Sequence, residues 1–325
     1  MSARPPRKRF RLALLTAGAA ASAVTTALVL PQSAGAAETA PVGFGAGTTG
    51  GGGATAVTVT TLAAFKTAVT GDTAKVVKVS GLIPLSGQVD IGSNTTVLGV
   101  GSASGFTGGG LRLKKVANVV VRNLNISKPV APADGITVQA STKVWIDHNS
   151  FSSDRDHGKD YYDGLLDITH ASDHVTVSWN TFKDHYKGSL VGHSDNNAGE
   201  DTGHLRVTYH HNWFNNVNSR IPSLRFGTGH FYDNYVVGAD TAVHSRMGAQ
   251  MLVENNVFRS TAVAVTTNRD SDVDGYANLT GNDLGGAATE ISQVGTFTKP
   301  SYGYTAEPAS TVVASVTSGA GTGKL

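Results

Sequence analysis

Short runs of β-branched and apolar residues, broken every few positions by Gly, Asn or Asp, make up most of the chain. Val57–Thr60, Val76–Val79, Gln88–Ile91, Thr96–Val100, Leu111–Leu113 and Val119–Val121 each read as a brief strand, because β-branched residues cluster there between turn formers. One segment departs from this rule. Leu62–Val69 carries apolar residues at helical spacing behind Thr60 or Thr61 and stops before Gly71, which predicts a short capped helix.

Further along, the strands fall into register. Asn recurs as Asn149, Asn180, Asn212, Asn234 and Asn256, at spacings of 31, 32, 22 and 22 residues. Two positions after each stands Phe151, Phe182, Phe214, Val236 or Phe258. Five before stand Val144, Val175, Val207, Gly229 and Met251, and three before stand Ile146, Val177, Tyr209, Phe231 and Val253. Those last two columns lie two apart, as on one face of a strand. A weaker copy puts Leu124 in the Asn column, with Val119, Val121 and Ile126 around it. Asn as a common turn former does not explain the flanking columns, whereas a solenoid of parallel coils does. Stacked Asn side chains can then hydrogen-bond along a ladder at the turn, where Asn also tolerates unusual backbone angles. From Asn278 onward the pattern dissolves into Gly, Thr and Ser. The expected fold is all-β: a single parallel β-helix over residues 37–325, with a short N-terminal capping helix and an irregular C-terminal tail.

Composition changes this picture at one end only. Arg4, Arg7, Lys8, Arg9 and Arg11 form a positive start, Leu12–Leu30 is apolar and Ala-rich, and Ala34-Gly35-Ala36 is a small-residue cleavage pattern. Residues 1–36 therefore read as a bacterial-type export signal cut after Ala36, implying a secreted, extracellular protein with no membrane attachment. Small residues dilute the apolar run too far for a membrane anchor. Removing the signal leaves 21 basic and 24 acidic residues, a net charge of −3, which argues against a nucleic-acid partner. The chain has 39 Gly and no Cys, so tight turns are expected and disulfides or thiolate metal sites are excluded.

Candidate chemistry lies between Asp134 and Arg225. Asp163 and Asp167 point the same way if their segment is extended, with Leu166 and Ile168 turned to the core; joined by Asp134 from the preceding coil, they could offer oxygen ligands to Ca²⁺. Three aspartates in surface turns fit the same residues equally. Asp154, Asp156 and Asp160 read as solvated turn residues. Lys187, Arg220 and Arg225 could hold an acidic substrate, and Pro222 within Arg220-Ile221-Pro222-Ser223-Leu224-Arg225 restricts the approach of the first Arg. His148, His210 and His211 follow strands and are expected to pack or hydrogen-bond.

Val144-Trp145-Ile146-Asp147-His148, Asp163-Gly164-Leu165-Leu166-Asp167, Val175-Thr176-Val177-Ser178, the Lys187–Gly192 block and Arg220–Arg225 together resemble the signature blocks of the pectate lyases, polysaccharide lyase family 1. The resemblance covers most of residues 42–260. It implies a right-handed parallel β-helix that cleaves α-1,4-linked polygalacturonate, de-esterified pectin, by Ca²⁺-dependent β-elimination to 4,5-unsaturated oligogalacturonates. Position by position, it implies that Asp134, Asp163 and Asp167 bind calcium, Arg220 removes the C5 proton, Lys187 binds the substrate carboxylate, and Arg225 positions substrate and structure. A second acid that some members carry just before the Asp134 position is replaced by Pro132. Because Arg normally keeps its proton, a base of this kind implies an alkaline optimum. Three alternatives are weighed against this. A pectin lyase would not need the acids, a polygalacturonase would need paired acids that activate water, and a β-helical binding or adhesion module would hold pectin without cleaving it. A monomer is the default for such solenoids.

Overall fold

The computed structural model describes residues 1–2 and 37–325; the expected export signal lies almost wholly outside the described residues. Each coil is made of three short strands. Coil on coil, they build three all-parallel sheets of ten, nine and eight strands, in which each strand pairs with its counterpart from the next coil. The columns read from the sequence are the registers. Val144, Val175, Val207, Gly229 and Met251 stand opposite one another in the ten-stranded sheet, as do Ile146, Val177, Tyr209, Phe231 and Val253.

The interior is filled by like stacked on like. Phe151, Phe182 and Phe214 are fully buried with ring centroids 4.8 and 4.6 Å apart and planes within 8° and 7° of parallel. At the corner between the ten- and eight-stranded sheets, Asn149 Nδ2 donates to Asn180 Oδ1 (3.0 Å), Asn180 to Asn212 (3.0 Å), Asn212 to Asn234 (2.9 Å) and Asn234 to Asn256 (3.0 Å). Each Oδ1 also accepts the backbone N–H of the Asn one coil earlier, for example Asn149 N to Asn180 at 2.9 Å. Leu124 joins through its backbone alone, donating to Asn149 Oδ1 at 3.0 Å. The unusual backbone angle falls not on Asn but on the residue before it: His148, Trp179, His211, Asp233 and Asn255 all have φ between 51° and 53°. That bend turns the Asn amide inward, and the ladder rather than the turn explains why Asn is required.

The two ends differ in how far the sequence foretold them. Leu62–Val69 is a helix with Thr61 as its cap, Oγ1 accepting from Ala64 N at 3.3 Å. Phe65 and Val69 are fully buried, and Phe65 lies 4.7 Å from Phe106, so the helix closes the N-terminal end of the core. The tail, in contrast, is irregular only in part: residues 291–308 form neither helix nor strand, but ordered elements flank them. The ladder continues one rung to Asn282, which accepts from Asn256 Nδ2 at 2.9 Å, and Tyr276–Thr280 and Ala288–Glu290 are further strands. Beyond them Ala309–Gly319 is a helix lying on Trp213, Tyr235 and Val257 through its buried Val312 and Val316. Its β-branched and Ser/Thr content gives low helix propensity; the burial of Val312 and Val316, four apart on one face, decides the outcome. The Gly-rich segment Gly43–Ala54 crosses outside the ten-stranded sheet so closely that a Cβ on Gly51 would sit 2.1 Å from Lys75 O.

Candidate active site

The corner between the eight- and nine-stranded sheets gathers most of the candidate chemistry. Asp134 precedes the strand Ile136–Gln139 and Asp163 precedes Leu166–Thr169, on which Asp167 lies; Lys187 ends Thr181–Lys187; Arg220 follows Trp213–Ser219. Because Ile136 pairs with Leu166 and Lys187 with Ser219, these residues occupy neighbouring rungs despite their separation in sequence. Leu166 and Ile168 are fully buried, which turns the intervening Asp167 outward into the groove, where it is 8% exposed.

Asp134 and Asp167 converge over Gly164. A Cβ there would lie 2.5 Å from Asp167 Oδ1 and 3.0 Å from Asp134 Oδ1, so any other residue would fill the space between the two carboxylates. Asp134 is held by Thr137 Oγ1 at 2.6 Å and Gly164 N at 3.0 Å, and Asp167 by Leu190 N at 3.0 Å. Both carboxyls are pushed above the usual range. Burial is the main cause for each; Asp167 and then Asp163 add to it at Asp134, while Arg220 and the Leu190 bond oppose it at Asp167. Asp163 lies beside this pair: its Oδ1 shares the Gly164 N–H with Asp134 Oδ1, at 3.0 Å each, and stands 3.1 Å from Lys187 Nζ. Among the described residues no three His, Asp or Glu side chains are already closed around one point. The donors are nevertheless those of a hard cation: two crowded carboxylates that no cation among the described residues closes on within ion-pair distance, a third on a salt bridge beside them, and a small residue keeping the space open.

The cations divide into two kinds. Arg220 sits at a sharp corner (φ 58°) before a cis Ile221–Pro222 peptide, its carbonyl accepting from Ser189 N at 2.6 Å. Gly188 permits this approach, since a Cβ there would lie 2.6 Å from that carbonyl. Among the described residues no carboxylate closes on the Arg220 guanidinium within ion-pair distance, although it faces Asp167. Arg225, on the outward face of Ser223–Arg225, is committed: Nε donates to Asp195 Oδ1 at 2.5 Å and Nη1 to Gly192 O at 2.8 Å. Asp195 also faces Arg246 at 3.4 Å and accepts from Ser271 at 2.7 Å.

Several sequence expectations shift. Asp154 is no solvated turn residue; it accepts from His157 Nδ1 (2.8 Å), Lys128 Nζ (2.9 Å) and Tyr162 OH (2.9 Å), bonds that hold its carboxyl well below the usual range. Asp160, in contrast, is exposed, 3.3 Å from Lys187. His148 meets Asp147 at 2.6 Å and stacks on Trp179, and His210 contacts His211 at 3.0 Å, so all three histidines lie on the ten-stranded side in structural roles. His185 was missed. Its Nε2 lies 2.6 Å from Asp163 O, and burial pushes it down to about 4, so a neutral, buried ring fixes the backbone of an acid. Its position three after buried Phe182 signals an irregular strand, not a site. Thr137 and Asp195 were missed too, for want of a motif.

With the geometry in hand, the chain can be set beside known proteins. The sequence profile of a family described as pectate lyase matches residues 12–325. The chain belongs to the pectate lyase family. Membership makes it a polysaccharide lyase. Relatives include pectate lyase B of Colletotrichum gloeosporioides, 52% identical over 283 residues (86% of this chain, 85% of the relative), and a probable pectate lyase A of Aspergillus fumigatus, 50% identical over 261 residues (80% of each). Among solved structures, a pectate lyase from Bacillus sp. N165 in complex with trigalacturonate is 33% identical, with a TM-score of 0.80 over 87% of this lyase and 99% of that chain. The parallel β-helix of the family is thus the fold of this lyase.

Proposed function

We propose that the protein is a secreted, calcium-dependent pectate lyase that cleaves α-1,4-linked polygalacturonate by β-elimination. The observation that carries this reading is the convergence of Asp134 and Asp167 over Gly164, beside Lys187 and the uncommitted Arg220. The Bacillus structure with trigalacturonate supports the substrate class.

Asp134, Asp163 and Asp167 would hold Ca²⁺, which supplies charge stabilisation to the substrate carboxylate and so acidifies the neighbouring C–H bond. Lys187 binds that carboxylate, exchanging its present partner Asp163 for substrate. Arg225, kept rigid by Asp195 and Gly192, orients the adjoining sugar. Arg220 takes the proton from C5; the C5–H electron pair becomes the C4–C5 double bond, the C4–O4 bond breaks, and the departing oxygen is protonated from solvent. No water nucleophile is required. A guanidinium yields a free base only at high pH, so the rate should climb on the alkaline side. The chain is exported with cleavage after Ala36 and acts as a monomer, a state consistent with the helix that covers the N-terminal coil edge.

The test follows the ultraviolet absorbance of unsaturated product from polygalacturonate, with calcium and with a chelator. Calcium-dependent product is expected. No unsaturated product would sink the lyase reading; full activity in chelator would remove calcium from it.

A further inference from the structure

The groove does not present the same chemistry on both sides of the acid corner. In the nine-stranded sheet Asp167, Thr137, Arg112 and Asp90 form one outward column on successive strands, running toward the N-terminal coils. Arg112 is thus two strand spacings, roughly 10 Å, from Asp167. Beside this column opens a cleft of about 760 Å³ lined by the apolar Leu85, Val130, Ala131, Pro132 and Ala133 together with the polar Ser86, Gln88 and Arg112. Val130 is 42% exposed there.

Cations at this cleft are already neutralised. Arg112 is held by Asp90 through two bonds, Nε to Oδ1 at 2.5 Å and Nη2 to Oδ2 at 2.8 Å. Lys128, two residues before Val130, is tied to Asp154 at 2.9 Å. Lys114 stands two positions beyond Arg112, beside Gln139, and does not line the cleft. Gln88 donates to Thr137 Oγ1 (2.6 Å), which in turn donates to Asp134, so the cleft is continuous with the acid corner. A free galacturonate carboxylate placed here would lose water and meet no uncommitted cation. A methyl ester carries no charge and gains apolar contact.

We propose that this cleft takes a methyl-esterified galacturonate residue of the same polymer, so that the enzyme prefers partly esterified pectin. The proposal rests on the lyase reading above for the polymer's identity. The residue at the acid corner must still carry a free carboxylate for Lys187, so activity peaks at intermediate esterification and vanishes when nearly every residue is esterified.

Initial rates on unesterified, partly esterified and nearly fully esterified polygalacturonate, each with calcium, measure this directly. The partly esterified polymer should give the highest kcat/KM. Val130→Lys adds an uncommitted cation at an exposed position; with its melting temperature unchanged, it should lower the ratio of partly esterified to unesterified kcat/KM by roughly tenfold, the size of one misplaced methyl group. A rate that falls steadily with esterification in the wild type, or a folded variant with an unchanged ratio, overturns the proposal. Calorimetric binding of esterified and unesterified oligogalacturonates reads the cleft independently of turnover. Tighter binding of the esterified oligomer supports the cleft even if no product forms, a result that would refute the lyase reading alone; equal or weaker binding refutes the cleft.

Discussion

Along the corner that carries the Asn ladder, every side chain both donates and accepts, and each amide meets the next from Asn149 to Asn282. Along the acid corner the same coil-to-coil spacing brings Asp134 against Asp167, groups that accept only when ionised and repel each other. One backbone geometry thus gives opposite results. A neutral group that is its own complement closes on itself and becomes scaffold, whereas a charged group stacked on its like leaves a demand that something from outside must meet. The difference separates residues whose loss unfolds the protein from residues whose loss only silences it.

The largest expected effect lies on the chemical side. Arg220→Ala should cut kcat on polygalacturonate by about a thousandfold or more, the range for a positioned proton-transfer group, while the denaturation midpoint stays within error of wild type. Near-normal turnover would show that the base is another group. On the scaffold side, Asn180→Ala should do the reverse. It strands the Asn149 N–H and amide, both of which donate to Asn180 Oδ1, and the Ile146 carbonyl, which accepts from Asn180 Nδ2 at 2.9 Å. Fully buried groups left unpaired cost about 1–3 kcal/mol each before relaxation, so a loss of about 3 kcal/mol in chemical denaturation is expected, with kcat per folded molecule preserved. A loss below about 1 kcal/mol would mean that the ladder is ornamental.

The scaffold was largely legible because it repeats: Asn180, Phe182, Val175 and Val177 each have counterparts on the next coil, and a column is visible without knowing what it contacts. The tail helix was not, because Ala309–Gly319 has no counterpart and its propensity points elsewhere; only contact with Trp213 and Tyr235 selects it. Of the site, the residues themselves could be named from family blocks, but not their division of labour. That Arg225 is bound to Asp195 while Arg220 is free depends on a loop residue thirty positions away. His185 and Thr137 act through Asp163 and Asp134, and nothing in their local sequence separates them from ordinary strand residues.

The finest distinction between the two corners is whether removing a polar group can stabilise. In the ladder it cannot. At the acid corner, Asp134→Asn keeps the shape and removes one of the two converging charges. A carboxyl whose folded value is raised opposes folding once the pH exceeds its unfolded value of about 4, and the penalty grows until the pH passes the raised value. In chelator, therefore, the variant should match wild type near pH 4 and become more stable by about 1 kcal/mol toward pH 8, as read from paired denaturation curves. Added calcium should reverse the order, stabilising wild type and leaving the variant nearly unmoved, because binding to the folded state alone raises its stability. A variant less stable than wild type at pH 8 in chelator would show that the Thr137 and Gly164 bonds outweigh the repulsion between Asp134 and Asp167, and the acid corner would then be scaffold of the same kind as the ladder.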